Sequence, residues 1–141
     1  MDTNNAANAA NAVNTVNAVN SVNQAPATPA RISYDDFAKV EIRAGKILSA
    51  EKVPDTDKLL KLSVDFGAFE SMPRQIVSGI SMYFPDPAVL VGKTCMFVTN
   101  LEPRKIKGLE SNGMLFALST EDGKFSLLEP HESIPPGTKA K

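Results

Sequence analysis

Between Val40 and Leu128 the apolar residues come in short alternating runs, stopped by glycine, proline or aspartate about every 10 to 15 positions, and this spacing restricts the fold more than any other feature. Val40, Ile42 and Ala44 alternate with Glu41, Arg43 and Gly45, and Ile47 lies beyond. A glycine inside a strand pattern marks a bulge or bend, so a strand bulged or bent at Gly45 is expected. Leu60, Leu62, Val64 and Phe66 alternate with Lys61, Ser63 and Asp65 and predict a second strand stopping at Gly67. Residues 74–78 read as a third strand ending at Gly79, residues 94–99 as a fourth, the apolar run 114–118 as a fifth and residues 125–128 as a sixth. Ser33 followed by Asp35 and Asp36 suits one helical turn leading into the domain. Pro54-Asp55-Thr56-Asp57 is a turn, and residues 85–91 begin with Pro-Asp-Pro-Ala, where a short helical turn is expected. Many short strands and no amphipathic helix of three turns predict an all-β fold, a closed or nearly closed barrel.

The chain has 141 residues, enough for one ordinary domain and too few for two good cores. They are used unevenly. Residues 1–30 hold no glycine, no aromatic residue and one charge, Asp2. From Asn5 to Asn23 an asparagine takes every third position, with Ala, Val, Thr and Ser between. Nothing in this tract is large enough to offset an ordering entropy of about 1–2 kcal/mol per residue. An Ala-rich helix is the alternative, but a three-residue step carries the asparagines slowly round the axis and leaves no stable polar face. Residues 1–30 are therefore expected to be a disordered low-complexity tail and linker, and residues 31–141 the folded domain.

Composition removes several classes of function. One cysteine, Cys95, makes neither an internal disulfide framework nor a cysteine-rich zinc site, and the single His131 adds little. No apolar run approaches the roughly 18 residues of a membrane span. The first residues lack the basic start and apolar block of a secretory signal, and no Arg or Lys precedes Arg31, as a transit peptide would require. A cytoplasmic protein with no membrane association is the expectation. Residues 87–94, Pro-Ala-Val-Leu-Val-Gly-Lys-Thr, end like a phosphate-binding loop but have Pro87 where the first glycine belongs, and Lys93 opens a strand rather than a helix. Cys95 with His131 lacks a third orienting group and reads as a buried small hydrophobe. Asp55 and Asp57 read as turn formers. No catalytic constellation, metal or cofactor is expected.

Charge gives the stronger lead. The formal net charge is −1, far from the strongly basic balance usual in nucleic-acid binders. The total conceals a gradient. Residues 31–71 carry 7 basic and 8 acidic side chains, residues 72–109 carry 5 and 2, and residues 110–141 carry 3 and 5. The densest basic piece, Pro103-Arg104-Lys105-Ile106-Lys107-Gly108, reads as a loop between the fourth and fifth strands. An oligonucleotide- and oligosaccharide-binding (OB) barrel uses that loop for its ligand, although a solvated loop of no function has the same composition.

Five blocks then carry a resemblance: Phe37-Ala38-Lys39-Val40-Glu41-Ile42-Arg43-Ala44-Gly45-Lys46-Ile47; Asp57-Lys58-Leu59-Leu60; Ile76-Val77-Ser78-Gly79-Ile80; Asn100-Leu101-Glu102-Pro103-Arg104-Lys105-Ile106-Lys107-Gly108; and Ser111-Asn112-Gly113-Met114-Leu115. In order and approximate spacing they resemble the tRNA-binding domain found at the C-terminus of bacterial methionyl-tRNA synthetases, in free-standing tRNA-binding proteins and in the endothelial monocyte-activating polypeptides. The resemblance runs from about Ser33 to Lys141. It implies a five-stranded OB barrel with short helical turns and extra C-terminal strands, binding tRNA by shape and backbone, without catalysis and without a cofactor. Such recognition needs a basic edge rather than a basic protein, because A-form RNA offers phosphates and 2′-hydroxyls rather than a readable major groove.

Carried over by position, Asn100, Arg104, Lys105 and Lys107 would border the RNA, with Ser78, Ser81, Met82, Ser111 and Met114 as the rest of that surface. Met114 reads equally as barrel core, and Ser78 with Gly79 as a strand end that merely shapes a loop. The family commonly has Glu where Asn112 stands, so a negative charge is absent beside this site. Ala44 replaces a larger aliphatic residue in the block that the monocyte-activating polypeptides associate with cytokine activity, a departure that counts against such a role. The chain stops soon after Pro135-Pro136-Gly137, like the bacterial type that pairs as a homodimer. The partners expected are therefore tRNA, a second copy, and an aminoacyl-tRNA synthetase that the module would assist. The alternative is a protein-interaction or chaperone-like OB module without specific RNA binding.

Overall fold

The alternation of apolar and polar residues in the second predicted strand becomes alternating burial: Leu60, Leu62 and Val64 are buried and Lys61, Ser63 and Asp65 are not. The computed structural model describes residues 30–141, so the expected low-complexity tail, apart from Ala30, lies outside the described residues. One short helix, α1 (Tyr34–Ala38), precedes nine strands: β1 (Ile42–Lys52), β2 (Leu60–Asp65), β3 (Arg74–Ser78), β4 (Thr94–Val98), β5 (Arg104–Ile106), β6 (Leu109–Ser111), β7 (Met114–Leu115), β8 (Ala117–Ser119) and β9 (Phe125–Leu127). Among them a five-stranded antiparallel sheet runs in the order β3-β2-β1-β4-β7, and β5-β6 and β8-β9 are separate hairpins. The expected helical turn near residue 87 is a 3-10 turn at Pro87–Leu90, capped by the Asp86 side chain, which accepts from the Ala88 amide at 3.2 Å.

The sheet curls until its two ends meet. Ser111 at the end of β6 bonds to Val77 of β3, and the Asn112 amide donates to the Gln75 carbonyl at 2.9 Å. The result is a nearly closed all-β barrel. Its core holds Ile47, Leu60, Leu62, Val64, Phe66, Ile76, Cys95 and Phe97. The Phe66 and Phe97 rings meet edge to face, 5.6 Å between centroids, a geometry that contributes beyond simple area burial.

Three expectations about local structure need correction. Gly45 does not bend its strand: the β1–β4 register runs unbroken from Ile42 to Lys46, and the irregularity in β1 lies between Ile47 and Ser49. The glycine is required by packing. A Cβ there would stand 2.6 Å from Val64, 2.7 Å from Phe66 and 3.0 Å from Phe97. The run 114–118 is two strands: the Phe116 amide still donates to the Met96 carbonyl in register with β4, but the Met96 amide goes to the Leu128 carbonyl, and from Ala117 the chain pairs with β9 instead. The basic segment 103–108 is not a loop but the first strand and turn of the β5-β6 hairpin.

Strand β1 is too long for β2 to cover. Residues 137–140 take the remaining edge: Gly137 donates to Ala44, Ala44 to Thr138, and Ala140 to Ile42, at 2.7 to 2.9 Å. Arg43 pairs with Lys139 across this bridge, and its guanidinium donates to the Gly137 carbonyl at 2.8 Å while lying 3.7 Å over the Phe69 ring.

Candidate nucleic-acid interface

The β5-β6 hairpin organises the site. Arg104 lies opposite Ser111, Lys105 opposite Glu110 and Ile106 opposite Leu109. Alternation therefore puts Arg104 and the buried Ser111 on the face toward the barrel, and Lys105 with Glu110 on the other. The turn joining the strands is Lys107-Gly108, with φ of 51° and 81°, the two-residue geometry that matches strand twist.

At the base of the hairpin an open groove of about 560 Å³ is lined by Arg104, Ser111 and Met114 together with Val77, Leu101 and Glu102. Three of the residues expected at the site from sequence thus converge. Met114 and Leu101 are nearly half exposed, so Met114 is a surface residue and its neighbour Leu115 is the core residue. The groove mixes an apolar floor with one guanidinium, from Arg104, and one carboxylate, from Glu102.

The Ser111 hydroxyl faces inward. It accepts from the Val77 amide at 3.0 Å, and the side chain is buried. Gly113, beside it at φ 145°, has no room for a Cβ, which would meet Ile76 at 2.8 Å. The Ser111-Asn112-Gly113 block therefore closes the barrel and shapes the groove wall.

Asn100 serves as a brace. Its Oδ1 accepts from the Glu41 amide at 2.8 Å and its Nδ2 donates to the Lys39 carbonyl at 2.5 Å, tying the loop after β4 to the entrance of β1. One N–H of the carboxamide and one lone pair on its oxygen remain for a ligand. Behind it Thr99 donates to Glu41, and Arg43 also bonds the Glu41 carboxylate at 3.2 Å. The Arg43 hydrogen bond, more than the opposing burial, holds the Glu41 carboxyl below its ordinary value.

Ser78 closes β3 opposite Leu60, whose other neighbour is Lys52 of β1. Ser81 is buried in the following 3-10 turn, where its amide donates to the Lys58 carbonyl at 2.9 Å, and Met82 projects from that turn, 63% exposed. Gly79 has open space where a Cβ would stand. Lys107 lies at the hairpin tip, in a second cleft with Lys52 and Lys61 of the β1-β2 hairpin. Those two lysines escape a reading of the sequence alone, because they meet Lys107 only through the fold.

Elsewhere the catalytic candidates separate. Cys95 is fully buried, and burial, with the Glu129 charge adding to it, pushes its thiol up to about 11. His131 is almost wholly exposed beside Glu132. Lys93 of the loop-like sequence pairs with Glu129 at 3.6 Å and enters β4 rather than a helix. No described helix is long and apolar enough to cross a membrane.

Comparison with known proteins gives the family and the fold. A family model described as a tRNA binding domain matches residues 42–139. The methionine–tRNA ligase of Methanospirillum hungatei is 52% identical over 110 residues, 78% of this chain and 16% of the ligase. That of Enterococcus faecalis is 41% identical over 107 residues, 76% of this chain and again 16% of the ligase. The chain thus spans about one sixth of the length of the curated relatives it matches. Among solved structures, a MetRS-related protein from Pyrococcus horikoshii is covered completely, with 80% of this chain matched at 42% identity and a TM-score of 0.72. The chaperone CsaA from Bacillus anthracis is also covered completely, with 79% of this chain matched at 28% identity and a TM-score of 0.69.

Proposed function

The chain belongs to the tRNA binding domain family, and from that premise we propose that it is a non-catalytic tRNA-binding module that grips folded RNA through the β5-β6 hairpin and the groove at its base. The observation that carries this reading is the convergence of Arg104, Ser111 and Met114 on one groove beneath a hairpin whose exposed residues include Lys105 and Lys107. Arg and Lys supply phosphate contacts that position the protein without reading bases, and a flexible apolar methionine suits a base or sugar face. Ser78, Ser81, Met82 and Asn100 border this surface in the proposal. The module works in the cytoplasm, alone or as an auxiliary that raises tRNA concentration near a synthetase.

A homodimer completes the proposal. Tyr34, Phe37 and Val40 leave an apolar face exposed beside residues 139–141, and isologous pairing there would cover it and present two hairpins to one RNA.

The test is filter binding of unfractionated tRNA at two salt concentrations, against an unstructured RNA of equal length. Preference for tRNA and a steep loss of affinity with salt are expected. Replacing Arg104, Lys105 and Lys107 with Glu should abolish binding while the fold survives. The second reading, a chaperone-like module, draws on the apolar groove and the likeness to CsaA. It gains if tRNA binds no better than the unstructured RNA and unfolded polypeptide occupies the groove.

A further inference from the structure

The tips of two hairpins face each other across a cleft of about 250 Å³ lined by Lys52, Lys61 and Lys107, with Glu51 as the one carboxylate. Glu51 is taken by Lys61 at 3.5 Å. Among the described residues Lys52 and Lys107 have no carboxylate partner, so the cleft keeps an excess of two positive charges. Like charges gathered in a cleft repel one another and concentrate anions.

Lys107 has a second peculiarity. It holds φ 51° as the first residue of its two-residue turn, a position that suits Asn, Asp or Gly and strains other side chains. Lys107-Gly108 therefore retains an ammonium at a site where asparagine would fold better. Strain held in this way points to function rather than to stability.

The cleft continues into the groove. Lys61 is the direct cross-strand neighbour of Val77, and Val77 lines the groove that Arg104 overlooks. Arg104 and Met114 thus line the groove at the hairpin base, and Lys61, Lys52 and Lys107 line the cleft at its tip, with the buried Val77 beneath.

We infer that the lysine cleft is a separate phosphate seat, in which Lys52 and Lys107 clamp successive phosphates of the same RNA strand that enters by the groove. This rests on the tRNA-binding reading and adds to it one anchoring residue, Lys52. Lys61, held by Glu51, contributes field rather than direct contact.

The experiment uses the full chain and unfractionated tRNA, with Lys107→Asn, the double variant K52Q/K107N, and Lys124→Gln as an equal charge change on the distant β8-β9 turn. Lys107→Asn relieves the turn, so its melting temperature should rise while tRNA affinity falls. Every phosphate that a variant no longer neutralises should flatten the slope of log affinity against log salt by about 0.7 to 0.9, so the double variant flattens it by about 1.5. At 0.1 M salt the double variant should bind roughly thirtyfold more weakly, and Lys124→Gln should match the wild type. If the wild type binds tRNA and the double variant keeps its slope, the phosphate seat is overturned and the wider reading stands. A wild type that does not bind tRNA overturns both.

Discussion

The Val77 amide donates to the Ser111 hydroxyl at 3.0 Å, and both residues are buried. This bond is one of those that tie β3, an end strand of the curled sheet, to β6 of the separate hairpin, and it sits directly under the groove. Ser111→Ala leaves a buried N–H without a partner, at a cost of about 1–3 kcal/mol. Urea unfolding should show that loss with an unchanged m-value. If stability is unaltered and tRNA binding collapses, the hydroxyl serves the ligand and not the barrel.

Gly45→Ala tests the packing account of that glycine. A methyl group 2.6 Å from Val64 and 2.7 Å from Phe66 forces the core apart, and overpacking of this kind costs about 1–3 kcal/mol. Thermal unfolding should report a clear drop in melting temperature. The companion variant Gly79→Ala, at a position with open space, should be neutral or nearly so.

Glu41 contributes a defined pH dependence. Its folded carboxyl is held low, chiefly by the Arg43 hydrogen bond. A depressed carboxyl adds stability that is present above the unfolded value near 4.5 and is lost as the pH falls through the folded value. Glu41→Gln should therefore be less stable than the wild type at pH 7, and the difference should shrink toward zero in acid. Urea melts across that range measure it. A difference constant with pH would show that the carboxylate charge is not what matters.

Cys95 should be inert. Its full burial and a thiol raised to about 11 leave almost no thiolate at neutral pH. An aromatic disulfide reagent should label the unfolded chain promptly and the native chain only as fast as the barrel opens. Prompt labelling of the native protein would contradict the packing of β4.

The central strands are legible in the sequence because each carries its own signal. In β2 apolar and polar residues alternate until a turn residue stops them, and burial follows the alternation; in β3 the signal is the apolar pair Ile76-Val77 ended by Gly79. The β5-β6 hairpin has no such signal. Ile106 and Leu109 are its apolar pair, set among Arg104, Lys105, Lys107 and Glu110, and three-residue strands do not establish a period. Gly45 and the 114–118 run mislead for related reasons: a glycine needed for contact looks like a glycine needed for bending, and a continuous apolar run conceals a break at Phe116. At the site, composition locates Arg104 and Lys107, and the family blocks locate Ser111 and Met114. The bracing role of Asn100 is hidden because its partners are backbone groups of Lys39 and Glu41, about sixty positions earlier. Lys52 and Lys61 are hidden for the same physical reason, since only the register of β1, β2 and β3 brings them to Lys107.

The bridge between Arg43 and Lys139 sets the order in which this barrel can be finished during synthesis. Strand β1 leaves the ribosome well before residues 137–140, yet the amide of Ala44 and the carbonyls of Ile42 and Ala44 wait for those residues. Until those emerge, one edge of the nascent sheet is open to any passing strand. A barrel lacking residues 137–140 is therefore the species most exposed to mispairing, and docking of that segment closes the seam.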